Sequence, residues 1–346
     1  MYENQQDEKF TGDWKQAANT NEMQEIRSQL IRGRWPRGCA ECADNEYMNT
    51  PSMRTRAQFN PNYNHYHQTQ VDRTVYADFK FGNACNLMCT TCSGHSSHGI
   101  LWEWANSNPD DWNEQTNREN FAVMRWDTKW FKQIDVAANP DLLTVKFTGG
   151  EPFVNPHVRQ YLLQLISEGR TDLELEFVTN GYDINDNWHT ILEQFRKVTL
   201  NISVDGVESI YNVTRYPATW NNFINKFWAL ATLSYQTNIV TTVSSLNVLN
   251  LVDIHEYFEG YSVDFNNMVE RPQWYDPRHL PDQVIRKSVA RIEASGHREL
   301  RPVVRKLLTS KHDPVIIEAM KKDLQAKAKY RELSLTTHDL EVLEYI

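Results

Sequence analysis

Cys85, Cys89 and Cys92 stand together in the string Cys85-Asn-Leu-Met-Cys89-Thr-Thr-Cys92. Thiolates bind zinc and iron-sulfur clusters. A structural site normally presents four protein ligands, so three in one tight loop imply a cluster with one iron left open to a small molecule. A structural zinc ion is the alternative, which three ligands without an evident fourth suit poorly. The other two cysteines form a pair in Pro36-Arg-Gly-Cys39-Ala-Glu-Cys42. With His65 and His67 downstream the pair reads as a zinc candidate, although H-x-H is tighter than the usual spacing; two buried thiols without a metal is the plainer alternative. Five cysteines, all confined to Cys39–Cys92, are a cluster and not a disulfide framework.

Further candidates recur downstream. Gly149, Gly150, Glu151 and Pro152 follow Phe147-Thr148, Asn180 lies in Val178-Thr-Asn-Gly181, and Ser203-Val-Asp205-Gly206 is trailed by Arg215. Paired glycines let backbone approach a charged ligand closely. Arg215 offers a planar fork for a carboxylate, Ser203 a hydroxyl for the same group, and Glu151 an acceptor for an ammonium. Together they describe a pocket for a zwitterionic amino-acid moiety above an open iron. Taken singly, each has a bland reading as a turn, a strand-end hydroxyl or a surface cation. His95 and His98 would share a helix face beside the loop, either lining the pocket or, more simply, uncommitted. Trp102, Trp104, Trp112, Trp126 and Trp130 read mostly as core, and Lys321, Lys322, Lys327 and Lys329 as a solvated helix face.

The elements that must position these residues alternate. Strand-like runs at Val75–Phe81, Leu142–Thr148, Leu173–Thr179, Val198–Val204, Ile239–Ser245 and Val263–Val269 are separated by helix-period segments. Helices are expected at Ser96–Asn106, Thr128–Val136, Pro156–Glu168, Asn185–Phe195, Thr219–Ser234 and Asn250–Phe258. That pattern predicts an α/β fold with parallel strands, a partial six-unit barrel of the TIM type. Residues 1–71 read as an appended irregular segment with a short helix near Met23–Ile31, 72–281 as the barrel, and 282–346 as a helical extension. A net charge of −9 argues against a protein that grips nucleic acid through its phosphates. Apolar runs are too short to span a bilayer and the start is polar, so a cytoplasmic protein is expected.

The ordered motifs resemble the radical S-adenosylmethionine (radical SAM) superfamily, whose signature is CxxxCxxC after the first strand of a partial barrel. FTGGEP is similar to its GGEP loop, and VTNG, SVDG with Arg215, and Val269-Glu-Arg-Pro272 followed by Leu280-Pro281 resemble the branch that carries auxiliary clusters. The resemblance implies a 4Fe-4S cluster on Cys85, Cys89 and Cys92. It implies S-adenosylmethionine held by Gly149, Gly150, Glu151, Pro152, Asn180, Ser203, Asp205 and Arg215. The activity implied is reductive cleavage of S-adenosylmethionine to a 5'-deoxyadenosyl radical that takes hydrogen from a peptide, sugar or nucleotide-like substrate, fed by an electron donor such as flavodoxin or ferredoxin. Thr91 departs from the aromatic residue usual there, which leaves adenine packing to candidates such as Phe153, Leu246 and Val248. The Cys39/Cys42 pair, followed by Glu46, Asn49, Ser52 and Arg54, is similar to the segment before the core in twitch-type members, with Asn49 where glycine is usual. It is a candidate for an auxiliary metal that two cysteines alone do not complete. The competing class is a catalytically degenerate metal-binding interaction protein on the same fold.

Overall fold

A computed structural model describes residues 18–47, 49, 52–58, 74–107, 139–333, 335–337 and 339–346. The expected helix at Thr128–Val136, together with His65, His67, Trp112, Trp126 and Trp130, lies outside the described residues. Six parallel strands form one open sheet in sequence order: β1 Tyr76–Lys80, β2 Thr144–Thr148, β3 Glu174–Thr179, β4 Lys197–Ser203, β5 Gln236–Val243 and β6 Ser262–Met268. This is the expected partial barrel.

Before the sheet come α1 Asn21–Ile31, α2 Ala40–Tyr47 and α3 Met53–Gln58, and α4 His98–Ser107 follows β1. The crossovers are α5 Pro156–Ser167, α6 Asp186–Leu192, the pair α7 Glu208–Thr214 and α8 Trp220–Ala231, and α9 Leu251–Tyr257. The chain closes with α10 Asp282–Ser295, α11 Arg301–Leu307 and α12 Pro314–Tyr330. Local chemistry sets these boundaries. In α5 the Asn155 side chain accepts from the His157 N–H and Pro156 occupies the first turn, while Val158, Tyr161, Leu162 and Leu165 recur at helical spacing and are all buried. Helix α7 was not expected; it is a short turn that brings Arg215 round to the sheet.

Strand register separates two chemistries. Phe79, Phe147, Phe177 and Leu200 are successive cross-strand partners on the helix-covered face. Phe147 and Phe177 stack at 5.0 Å, and Tyr161 of α5 meets Phe79 and Phe147 edge-on at 5.5 and 6.2 Å. The alternate residues, Asp78, Lys146, Glu176 and Thr199, form a second row on the opposite face, where Lys146 pairs with Asp78 at 3.6 Å and Thr148 donates to Asp78 at 2.9 Å. The face without helices is therefore polar. Near the end of the sheet, Asp264 and Asn267 oppose Val240 and Thr242, an extra residue in β6 that an Asp264 side-chain bond to the Asn266 N–H accommodates.

Trp102, expected in the core, is exposed on α4, and Lys327, expected in a solvated face, is buried. The stripe Ile317, Met320, Leu324 and Lys327 faces inward along α12, so the periodicity overrides the charge at its last position.

Replacing the fully buried Phe147 by alanine removes the ring that Phe79, Phe81, Tyr161 and Phe177 all touch. The expected cost is about 3–5 kcal/mol of unfolding free energy in chemical denaturation. A change below about 1 kcal/mol would show that this ladder does not anchor the strands.

Candidate metal and cofactor site

The cysteine loop leaves β1 at the carboxyl end of the sheet and has no regular structure of its own. Bonds from three directions shape it. The Met88 N–H donates to the Tyr216 carbonyl at 2.7 Å and the Thr90 N–H to that of Thr214 at 2.9 Å, tying the loop to the end of α7. Asn83 Nδ2 donates to the Gly94 carbonyl and Ser97 Oγ to that of Leu87, folding the loop on itself. His98, at the start of α4, accepts from the Cys85 N–H through Nδ1 at 3.3 Å, while His95 is exposed. His98 is thus committed to the loop.

Cys89 is buried and Cys85 and Cys92 half-buried, and none of the five cysteines is in a disulfide. Burial, reinforced by the neighbouring thiols, pushes Cys92 up to about 12 and raises Cys85, and burial with Asp205 raises Cys89 against the pull of Arg215. The three are neutral thiols at neutral pH until a metal displaces their protons.

The GGEP segment meets this loop backbone to backbone. The Gly150 N–H donates to the Gly82 carbonyl at 3.1 Å and the Glu151 N–H to that of Ala84 at 2.8 Å. A Cβ on Gly150 would fall 2.1 Å from the Ala84 oxygen, and Gly149, at φ +119°, leaves no room for one against the Gly82 oxygen. The glycines are required by the cysteine loop itself. Glu151 ties the next strand end to the site. Its carboxylate accepts from the Phe153 N–H at 3.1 Å, Thr179 Oγ1 at 2.7 Å and the Asn180 N–H at 2.7 Å. Burial pushes its pKa up to about 7 against these donors. Pro152 opens the following 3-10 turn, and Asn180 donates through Nδ2 to Asn86 of the cysteine loop at 2.7 Å.

Past β4, the buried Asp205 and Arg215 pair at 2.8 Å, and Arg215 Nη1 lies 3.7 Å from Cys89 Sγ. Burial works against the guanidinium charge, but Asp205 and Cys89 more than offset it and raise the Arg215 pKa. Arg215 Nε and the adjacent Tyr211 hydroxyl are buried with no hydrogen-bond partner, and Ser203 is half-buried at the strand end. Phe153, Leu246 and Val248 are all packed within the core, so none turns an open face to an adenine.

Two observations bear on what the site can hold. Among the described residues, the one group of three such ligands with all donor atoms within 4.8 Å is His255, His297 and Glu299. The three cysteines do not form such a group, whereas one tetrahedral zinc ion with bonds of about 2.3 Å needs sulfurs roughly 3.8 Å apart. The loop therefore fits a polynuclear cluster better than a single ion. An unpartnered buried guanidinium nitrogen beside it fits an acidic ligand. The histidine group suits a metal less well. Its imidazoles stack with centroids 3.9 Å apart, closer than the roughly 5 Å of two rings on one zinc ion.

Residues 79–247 match the sequence model of the Radical SAM superfamily. The barrel of this chain is similar in sequence to the radical SAM superfamily. No curated protein matches the sequence. Among solved structures, anSMEcpe with bound AdoMet is 17% identical, with 64% of this chain aligned to 60% of that one and a TM-score of 0.42. SuiB of Streptococcus suis bound to S-adenosylmethionine is 11% identical, with coverages of 82% and 60% and a TM-score of 0.41. The chain thus spans about 60% of the length of these two neighbours. A member of that superfamily would carry a 4Fe-4S cluster and S-adenosylmethionine as cofactors.

Cys39 and Cys42 lie on a 3-10 turn and the first turn of α2, away from the barrel signature, and both are half-buried. The residues that follow them converge: Glu46 on α2 accepts from Ser52 Oγ at 2.6 Å and from the Arg54 guanidinium, which also covers the Trp35 ring. Asn49 adopts φ +54°, the conformation for which glycine is otherwise favoured. Sequence reasoning missed the contributions of Asn83, Asn86, Tyr211, Glu103 and Arg331. Their sequence signal was polarity alone, in a loop, a short helix or a charged helix end.

Glu151 is raised from 4.5 to about 7, so between those values the folded chain binds a proton that the unfolded chain has released. Its contribution to stability is complete below about pH 4.5 and is lost as pH rises through about 7, a span of up to about 3 kcal/mol. Wild type should therefore exceed Glu151→Gln in unfolding free energy by more at pH 5 than at pH 8. A constant difference across that range would show an ordinary carboxylate.

Proposed function

We propose that this protein is a radical SAM enzyme acting on a polar substrate, with Cys85, Cys89 and Cys92 as the three ligands of a 4Fe-4S cluster. When bound, the cluster and S-adenosylmethionine supply one-electron cleavage of the sulfonium bond and a 5'-deoxyadenosyl radical able to take hydrogen from a substrate. The observation that carries the reading is the convergence of the three-cysteine loop, through the buried Cys89, with Arg215, whose Nε is buried and unpartnered, at one end of an open parallel sheet.

The chain's own residues have distinct parts. Gly149 and Gly150 let the second strand's loop close on the cysteine loop, and Glu151 with Asn180 fixes the third strand end against both. Asp205 orients Arg215, leaving Nε to receive the methionyl carboxylate, with Ser203 beside it at the strand end. Burial keeps the site dry around a reactive radical. The row of Asp78, Lys146, Glu176 and Thr199 on the helix-free face supports a hydrogen-bonding substrate, whether peptide, sugar or nucleotide-like, over an aliphatic one. Cys39 and Cys42 support the substrate step or the folding of their segment, with any metal there completed by a partner or substrate. A cytoplasmic protein served by flavodoxin or ferredoxin fits this chemistry.

Anaerobic reconstitution with iron and sulfide tests the reading. About four irons per chain and reductant-dependent formation of 5'-deoxyadenosine are expected, and both should be abolished in Cys85→Ala, Cys89→Ala and Cys92→Ala, because three thiolates leave no spare ligand. Full iron content and cleavage in any of the three would refute the ligand set.

Arg215→Lys keeps a cation for Asp205 but removes the fork. Iron content should be unchanged while S-adenosylmethionine affinity falls about 10-fold or more in calorimetric titration. Unaltered affinity would remove Arg215 from the cofactor site.

A further inference from the structure

The last turn of α12 reaches back to the cysteine loop. Arg331, 6% exposed, donates from Nη1 to Thr90 Oγ1 at 2.9 Å and from Nη2 to the Met88 carbonyl at 2.7 Å. Glu103 of α4, 2% exposed, accepts from the other side of the same fork, from Nε at 2.5 Å and Nη2 at 2.9 Å. One turn earlier, Lys327 Nζ donates to the Thr90 carbonyl and to Asp323, both at 2.7 Å. The Tyr216 ring, whose own carbonyl takes the Met88 N–H, lies 4.7 Å from the guanidinium carbon.

Thr90 sits between Cys89 and Cys92, and these contacts satisfy all of it. Its N–H goes to Thr214, its hydroxyl donates to Val213 and accepts from Arg331, and its carbonyl takes Lys327. Two buried cations, each balanced by a carboxylate, thus meet on one residue. For mere attachment of a helix this is an expensive arrangement, since apolar side chains of similar volume would pack at least as well. What an apolar contact lacks is direction: the guanidinium fork fixes the Met88 carbonyl and the Thr90 hydroxyl, on the two residues that flank Cys89.

We propose that Arg331 is a positioning residue for the three-cysteine loop, with Lys327 as a second brace. They hold Met88 and Thr90 so that Cys89 and Cys92 keep the spacing a cluster requires. The proposal rests on the reading of the loop as a cluster site, and it extends that site to a helix beyond the barrel motifs.

Full-length wild type, Arg331→Ala, Arg331→Lys and Lys327→Met are compared in two ways. In metal-free protein, hydrogen exchange of peptides covering residues 85–97 should quicken about 10-fold or more in Arg331→Ala, with β3 and β4 unchanged. In reconstituted protein, release of iron to an anaerobic chelator should quicken about 10-fold in the same variant and less in Lys327→Met. Arg331→Lys keeps the charge without the fork, so its release should stay fast. A folded Arg331→Ala with wild-type exchange and release overturns the proposal, as does full rescue by lysine, which would reduce Arg331 to its charge. If Arg331→Ala does not fold, Lys327→Met decides, and wild-type behaviour there overturns it. Should wild type take up no iron, the cluster reading falls while the exchange comparison still decides whether Arg331 braces the loop.

Discussion

Holding three thiols together in a loop without regular structure is the constraint on which the remainder of this molecule depends. A helix or strand satisfies its own backbone; this loop cannot, and each of its polar groups needs a partner elsewhere. Gly82 and Ala84 carbonyls are taken by the GGEP segment, Met88 and Thr90 amides by the end of α7, and the Cys85 amide by His98. Each partner lies at the carboxyl end of a strand or on a helix that returns to it. An open parallel sheet in sequence order brings these ends together without long-range crossing of the chain.

The electrostatics follow from the same burial. Thiols in a desolvated loop favour the protonated form, so ligation must be driven by the metal and helped by fixed positive charge. Arg215 supplies that charge beside Cys89, and the cost of burying it is reduced by Asp205, whose other oxygen accepts the Thr242 amide at 2.9 Å. The site is thereby coupled to β5 through one carboxylate. Aromatic packing on the helix-covered face lets the sheet leave its other face polar and half-exposed, an economy available only because Phe79, Phe147 and Phe177 share one register row.

Most of the barrel was legible in the sequence because each strand is a short β-branched or aromatic run and each long helix has a clear apolar period. All six strands and five of the six expected barrel helices appear at the anticipated places. Helix α7 was missed because it is too short for its period to show. The motif residues were legible as a group, but their local reasons were not. Gly150 is glycine because Ala84 lies against it, which is a tertiary contact. Lys327 and Arg331 were invisible for a different reason: in sequence they belong to a charged helix end, and only the fold reveals that their heads are buried against Thr90. Leu246 and Val248, chosen as apolar residues near the expected cofactor, proved to be core.

Electron paramagnetic resonance of the reduced, reconstituted protein before and after addition of S-adenosylmethionine tests most directly whether the loop presents an open iron to that ligand. A 4Fe-4S signal whose g values and line shape change on addition of S-adenosylmethionine, and do not change with S-adenosylhomocysteine lacking the sulfonium methyl group to the same extent, is the result expected. A cluster signal indifferent to S-adenosylmethionine, or no cluster signal at all, would contradict it.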